Sequence, residues 1–214
     1  MINKISQVLL SACGQGIAQG KKGRDIILKD NPALNSYTGK YLRPHILHAC
    51  TDYAINRNLL GIPNIRITEE HNSRNYSFLQ IETEHFYMTT SYVDQYTTVP
   101  RDAHFRCVRA MSNHPYLFQE LENQLPKGKP YLVLIHGLIE TKREGEVVFE
   151  ELFGGIGMPC GDMPTQWAEN EYLSLAEYID LARTIPEETI DEFDPGFLKL
   201  KNKFGGNDDN NDSA

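Results

Sequence analysis

The sequence predicts an α+β fold: a mostly antiparallel five-stranded sheet, built from a three-stranded meander and a hairpin, packed with helices. Three observations carry this expectation. Ile46, Leu47, Cys50, Tyr53 and Ala54 recur at helical spacing between Leu42 and Asn56, with Pro44 placed for a first turn. Three stretches rich in Ile, Tyr, Phe and Thr, at 64–68, 76–82 and 85–93, are parted only by the polar run 69–75 and by Thr83-Glu84, which reads as a meander. Residues 131–139 are almost unbroken apolar sequence, the pattern of a strand covered on both faces. Parallel crossovers need helices between successive strands, and most strands here follow one another directly.

The remaining elements follow in chain order. Ile2, Ile5, Leu9 and Ala12 keep helical spacing, so an opening helix is expected, fading at Gly14, Gly16 and Gly20 into a small basic loop of Lys21, Lys22 and Arg24. Pro100 suits the start of another helix, with Ala103, Cys107, Val108 and Met111 on its apolar side and Arg101, Asp102, Arg106 and Arg109 on its solvated side. A further helical piece is expected at 115–125. The charged loop 140–145 leads to 146–153, the hairpin partner of 131–139. Gly154, Gly155, Gly157, Pro159 and Gly161 then mark a long turn. Ser174 can cap a last helix that buries Leu175, Tyr178, Ile179 and Ala182. Residues 1–195 are expected to form a single α+β domain with an N-terminal helical extension. Residues 196–214, ending in GGNDDNNDSA, are too polar to offset their ordering entropy and read as an acidic, largely disordered tail.

Composition narrows the function classes. The 214 residues are 40% hydrophobic and 23% charged, and no window holds the run of about 18 apolar residues of a membrane span, so a soluble protein is expected. Net charge is −8, spread unevenly: residues 1–110 carry 13 basic and 9 acidic groups, residues 111–214 carry 8 and 20. That balance makes nucleic-acid binding through a bulk field unlikely as a function, while leaving room for a local basic patch in the first half. Cys13, Cys50, Cys107 and Cys160 form no C-x-x-C pair, which argues against a zinc ribbon and a disulfide scaffold. Leu10-Ser11-Ala12-Cys13 has the look of a lipoprotein cleavage box, but the apolar stretch before it is short and interrupted by Ser6 and Gln7. The expected location is therefore the cytoplasm.

Several constellations could carry chemistry. His136 ends the strand-like run YLVLIHG, a pattern that precedes the oxyanion loop of α/β-hydrolases, yet no G-x-S-x-G follows. His136 is accordingly expected to be a strand-end residue bonded to backbone. His45 and His48 lie three apart on the second helix, and Glu82, Glu84 and His85 sit together at a hairpin end; these five residues are the candidate metal ligands. The order helix, three strands, helix, strand matches the core order of restriction-type nucleases. Those enzymes need an acid near the start of the second strand and Glu-x-Lys on the third, and HFYMTTSYV has neither carboxylate nor lysine. Arg101, Arg106 and Arg109 could meet phosphates or an acidic protein surface, with Lys21, Lys22, Arg24 and Arg66 elsewhere in the mildly basic half. Tyr92 and Tyr96 lie near the three arginines in sequence, and tyrosine, with its large area and polar tip, often marks interfaces.

Taken in order, YLRPHILHACTDYA, GIPNIRI, NYSFLQIE, HFYMTTSYV, VPRDAHFR, YLVLIHG and FGGIGMP resemble a group of bacterial proteins encoded beside ImmA/IrrE-type metallopeptidase regulators, in operons that behave as toxin–antitoxin or phage-defence modules. The resemblance spans about residues 42–182 and assigns no active-site residue. It implies an antitoxin-like or regulatory, non-enzymatic protein that restrains a protein partner, such as a neighbouring gene's product, with no cofactor. Arg101, Arg106, Arg109, Tyr92 and Tyr96 are the expected partner-binding residues. The alternative expectation is a divergent metal-dependent nuclease or hydrolase that uses Glu82, Glu84, His85 and a histidine of the second helix.

Overall fold

In a computed structural model, described for residues 2–71, 77–101, 103–113, 129–143, 146–161 and 163–184, the opening helix α1 runs from Gln7 to Asp30, through all of its glycines. Ser6 caps it, its Oγ accepting from the Leu9 amide at 3.2 Å. The expected fade at Gly14, Gly16 and Gly20 does not occur, because these residues are contact points for helices packed across α1. A Cβ built on Gly16 would lie 2.9 Å from the Ile55 amide nitrogen, and one on Gly20 would lie 2.6 Å from the Thr51 Cα. Both partners belong to α2, Arg43–Leu59. Tertiary contact thus outweighs the roughly 1 kcal/mol per glycine that a helix interior costs. Lys21, Lys22 and Arg24 consequently ride on a helix and form no basic loop.

The sheet has six strands in the order β1-β2-β3-β4-β5-β6, where five were expected. Strands β1 (Arg66–His71), β2 (Ser77–Glu82) and β3 (Tyr87–Tyr92) form the anticipated antiparallel meander. Helix α3, His104–Ala110, then carries the chain to β4 (Tyr131–Arg143), which pairs parallel with β3, Tyr92 lying opposite His136. The sheet is therefore mixed, although β4 with β5 (Glu146–Pro159) and β5 with β6 (Trp167–Ser174) are again antiparallel. The order α2-β1-β2-β3-α3-β4 is the one expected from the sequence. Tyr87–Tyr92 carries neither a carboxylate nor a lysine.

The missed strand and the supposed long turn have one cause. The glycine-rich stretch after Phe153 continues β5 because β6 lays its aromatic side chains on the bare backbone. A Cβ on Gly155 would strike the Tyr172 ring, and one on Gly157 would stand 2.5 Å from Trp167 Cε3. Glycine here marks a strand approached closely by bulky neighbours. The last helix, α4, spans Ala176–Thr184, and the Ser174 hydroxyl accepts from the Ala176 amide at 3.3 Å. The helical piece expected at 115–125 and the tail at 196–214 lie outside the described residues.

Two apolar layers flank the sheet. Leu9, Cys13 and Ile17 of α1, Ile55 and Leu59 of α2 and Ile179 of α4 bury Leu79, Ile81, Met88, Leu132, Leu134 and Ile156 on one face. On the other, Val93, Ala110, Tyr131, Val133, Ile135 and Phe153 cluster together. Period-two alternation along β4 therefore points His136, like Leu132 and Leu134, toward α2. Helix α3 faces the second layer, but not by the side expected of it. Phe105 stacks on Phe78 with centroids 4.4 Å apart, Arg106 reaches Ser91, Arg109 lies over the Phe78 ring and Val108 is exposed. Arg106 and Arg109, assigned to solvent, thus turn inward, because Phe105 is the bulkiest apolar side chain on this short helix, while Arg101 stays exposed.

Ion pairs to Glu150 join α1 to the sheet, Lys21 Nζ lying 3.2 Å from its Oε2. Arg24, 4% exposed, makes a two-pronged contact with Glu150, Nη1 to Oε2 at 3.1 Å and Nη2 to Oε1 at 2.9 Å. Glu150→Ala leaves that guanidinium buried without its partner and is expected to cost about 2 kcal/mol, less than a fully buried pair because Glu150 keeps some solvent contact. The Arg24 hydrogen bonds hold the Glu150 carboxyl below its ordinary range. Its contribution is thus complete above the unfolded value near pH 4.3 and is lost as pH falls through the lower folded value. Thermal melts of wild type and Glu150→Ala should differ at pH 7 and converge toward pH 3; a gap that stays constant with pH contradicts the pairing.

Candidate functional site

Pro44 stands at the start of α2, and the helix that follows presents His48 and Asp52 one turn apart on a single face. That face lies on the end of β3 and the middle of β4. There His136, fully buried within an apolar strand, meets His48: the rings stack with centroids 5.2 Å apart, and His48 Nδ1 and His136 Nε2 are 3.0 Å apart, one ring donating and the other accepting. On its far side His48 Nε2 lies 3.7 Å from Asp52 Oδ2. The three side chains offer one ligand atom each, all within 4.8 Å of one another. Tyr92, opposite His136 across the ladder, sets its ring edge-on to the imidazole at 6.1 Å.

Local sequence explains how the cluster is held. Gly137 leaves room for the chain departing β3: a side chain there would collide with the Val93 carbonyl, while the Val93 amide donates to the His136 carbonyl at 3.0 Å. The loop that follows β3 is anchored at Thr97, whose φ of 56° is unusual for a β-branched residue, by the Trp167 indole donating to its carbonyl at 2.5 Å.

The electrostatics pull two ways for a metal ion, whose ligands must be deprotonated: the His136 shift favours this and the Asp52 shift opposes it. Burial, together with the neighbouring His48, holds the His136 imidazole well below its ordinary range, so it is neutral at pH 7 and ready to ligate. Burial pushes the Asp52 carboxyl up, and the His48 charge and the Thr90 hydroxyl pull it back. Among the described residues His136 Nδ1 has no hydrogen-bond partner, and such an orphan costs about 1–3 kcal/mol. Two nitrogens bound to one tetrahedral zinc ion stand about 3.3 Å apart, so the 3.0 Å spacing needs only a few tenths of opening.

The cluster borders a cleft of about 410 Å³ lined by His45, His48, Ser91, Tyr92, Arg101 and Arg106, among others. Arg106 Nη2 donates to the buried Ser91 hydroxyl at 3.2 Å and Nη1 to the Arg101 carbonyl at 2.7 Å, which fixes its guanidinium beside the opening. Residues predicted for two different roles are thus brought together: His45 and His48 from the metal candidates, and Arg101, Arg106 and Tyr92 from the partner-binding candidates. Arg109 is held over Phe78, and Tyr96 packs on Phe153 at 4.7 Å. Glu82, Glu84 and His85 lie at the opposite end of β3, about 17 Å along the strand. Glu82 there is bound by Lys129 at 2.7 Å, and Glu84 and His85 are exposed.

Asp52 was not anticipated, and His136 was assigned a bond to backbone. Two signals pointed to them: a carboxylate four residues beyond His48, and a lone imidazole inside an unbroken apolar strand, where only a partnered histidine is tolerated. Among the described residues no helix is long and apolar enough to cross a membrane. No protein-family model, curated protein or solved structure matches the chain.

Proposed function

We propose that the chain is a metal-dependent hydrolase, with His48, Asp52 and His136 holding a zinc-like divalent ion beside the cleft that His48 lines. The convergence of these side chains from α2 and β4 is the observation that supports this reading. Two histidines and one carboxylate leave a fourth coordination position open, and an ion so held lowers the pKa of bound water toward 7. In hydrolysis the water oxygen bonds to the electrophilic carbon or phosphorus, the bond to the leaving oxygen breaks, and that oxygen takes up the proton. Arg101 and Arg106, both lining the cleft, would offset the negative charge that develops.

The test is turnover of chromogenic carboxylic and phosphoric esters by zinc-loaded protein. Zinc-dependent hydrolysis that falls at least 100-fold in Asp52→Asn, with the fold retained by circular dichroism, is the expected result. Hydrolysis unchanged by Asp52→Asn, or no turnover by loaded wild type, contradicts the reading.

A second reading, restraint of a protein partner, draws support from one feature. Val147, Val148 and Phe149, near the start of β5, are 40%, 58% and 58% exposed, and large apolar side chains left in water together mark association surfaces. Co-expression with the product of the adjacent gene should yield a complex that Val148→Asp weakens. Separate elution at micromolar concentration counts against it.

A further inference from the structure

Resting on the hydrolase reading, we infer that the substrate is a single-stranded nucleic acid, laid along two adjoining clefts beside the His48–Asp52–His136 cluster. Two observations carry this, and the first is charge. A second cleft, of about 350 Å³, shares Pro44, Tyr92 and Asp94 with the first, so the two adjoin along these residues. Arg24, Lys40 and Arg43 line the second, and Arg101 and Arg106 the first, against two acids, Asp94 and Glu140. A chain with a net charge of −8 thus gathers five cations around two adjoining clefts. Arg24 is committed to Glu150, and Arg106 to Ser91 and the Arg101 carbonyl, so the clefts offer Lys40, Arg43 and Arg101 to an anion. Arg43 is held by Asn35 through Nη2 at 2.7 Å, while its Nε is buried with no partner among the described residues. Cations around both clefts suit a ligand with charges spaced along a chain better than a single small anion.

The second observation is aromatic. Tyr37 and Tyr41 are 78% and 66% exposed, stand edge to face with centroids 5.7 Å apart and are joined by a hydroxyl-to-hydroxyl bond of 3.1 Å. Tyr41 lines the second cleft beside Lys40, and Tyr92 stands where the two clefts adjoin. Apolar rings left in water next to cations are the elements of a base-stacking platform, which binds with little regard to sequence. Phosphates on the three cations and a base on Tyr41 would draw a phosphodiester past His48, the member of the cluster that lines the first cleft.

The test is fluorescence anisotropy of a labelled single-stranded oligothymidylate with metal-free, full-length protein. Binding is expected at low salt, with log K falling against log salt at a slope of about −2.1 for three phosphate contacts on a single strand. Lys40→Glu/Arg43→Glu should weaken it at least tenfold, and Tyr41→Ala about tenfold. Absence of binding at low salt, equal affinity for the duplex, or thymidine monophosphate binding as tightly as the oligomer each overturns the inference. The two readings fail separately. Zinc-dependent ester hydrolysis without oligonucleotide binding removes the nucleic-acid substrate and leaves the hydrolase. Oligonucleotide binding without any zinc-dependent hydrolysis does the reverse.

Discussion

Gly20→Val should destabilise the protein by about 3 kcal/mol, which for a chain of this length lowers Tm by roughly 8 °C. The first atom added at residue 20 meets the Thr51 hydroxyl, and it stands 2.6 Å from the Thr51 Cα and 2.8 Å from its amide nitrogen. Two of these three obstacles are backbone, so α1 and α2 must separate, because no side chain can swing aside. Valine gains some helix propensity over glycine, a few tenths of a kcal/mol, well short of the packing loss. The expected outcome is a lower melting temperature by calorimetry together with weaker binding of any ligand that needs His48, which rides on the displaced helix. An unchanged Tm contradicts the close helix crossing.

The second large effect concerns the metal. If the ion binds the native protein and not the unfolded chain, stability rises with its concentration, by about 2.7 kcal/mol at 100 times the dissociation constant. Zinc should therefore raise Tm of wild type by several degrees. Asp52→Asn and His48→Gln keep the side-chain volume but remove a ligand or misplace the lone pair, and each should reduce affinity by more than about 100-fold, beyond the loss typical of residues that only orient ligands. The shift should disappear in both variants at the same zinc concentration. An equal shift in wild type and variants places the metal elsewhere.

Much of the fold was legible in the sequence because its signals are local. The stripe from Ile46 to Ala54 gave α2, and the alternating β-rich stretches gave the meander. The apolar run from Tyr131 gave β4. What misled were residues whose meaning depends on partners distant in the chain. Gly16 and Gly20 look like helix breakers until Ile55 and Thr51 are packed against them, and Gly155 and Gly157 look like a turn until Tyr172 and Trp167 cover them. The parallel pairing of β3 with β4 is equally hidden, since no local pattern states which neighbour a buried strand will take.

The candidate site divides the same way. His48 stood out by its spacing from His45, and Arg101, Arg106 and Tyr92 by charge and residue type, yet their union in one cleft is a product of the tertiary fold. His136 lies 88 residues from His48 in the chain and was read by its place at the end of an apolar string. Its side chain turns to α2 because strand alternation puts it on the same face as Leu132 and Leu134. Glu82 and His85 are adjacent to β3 in sequence but stand at the wrong end of it.

X-ray absorption at the zinc edge of metal-loaded protein tests the central assignment most directly. The structure predicts stoichiometric zinc with two imidazole nitrogens and carboxylate oxygen in a shell at about 2.0–2.2 Å, and loss of one imidazole in His136→Ala. Zinc that does not survive dialysis, or a bound ion whose shell contains no imidazole and is unaltered by His136→Ala, would contradict it.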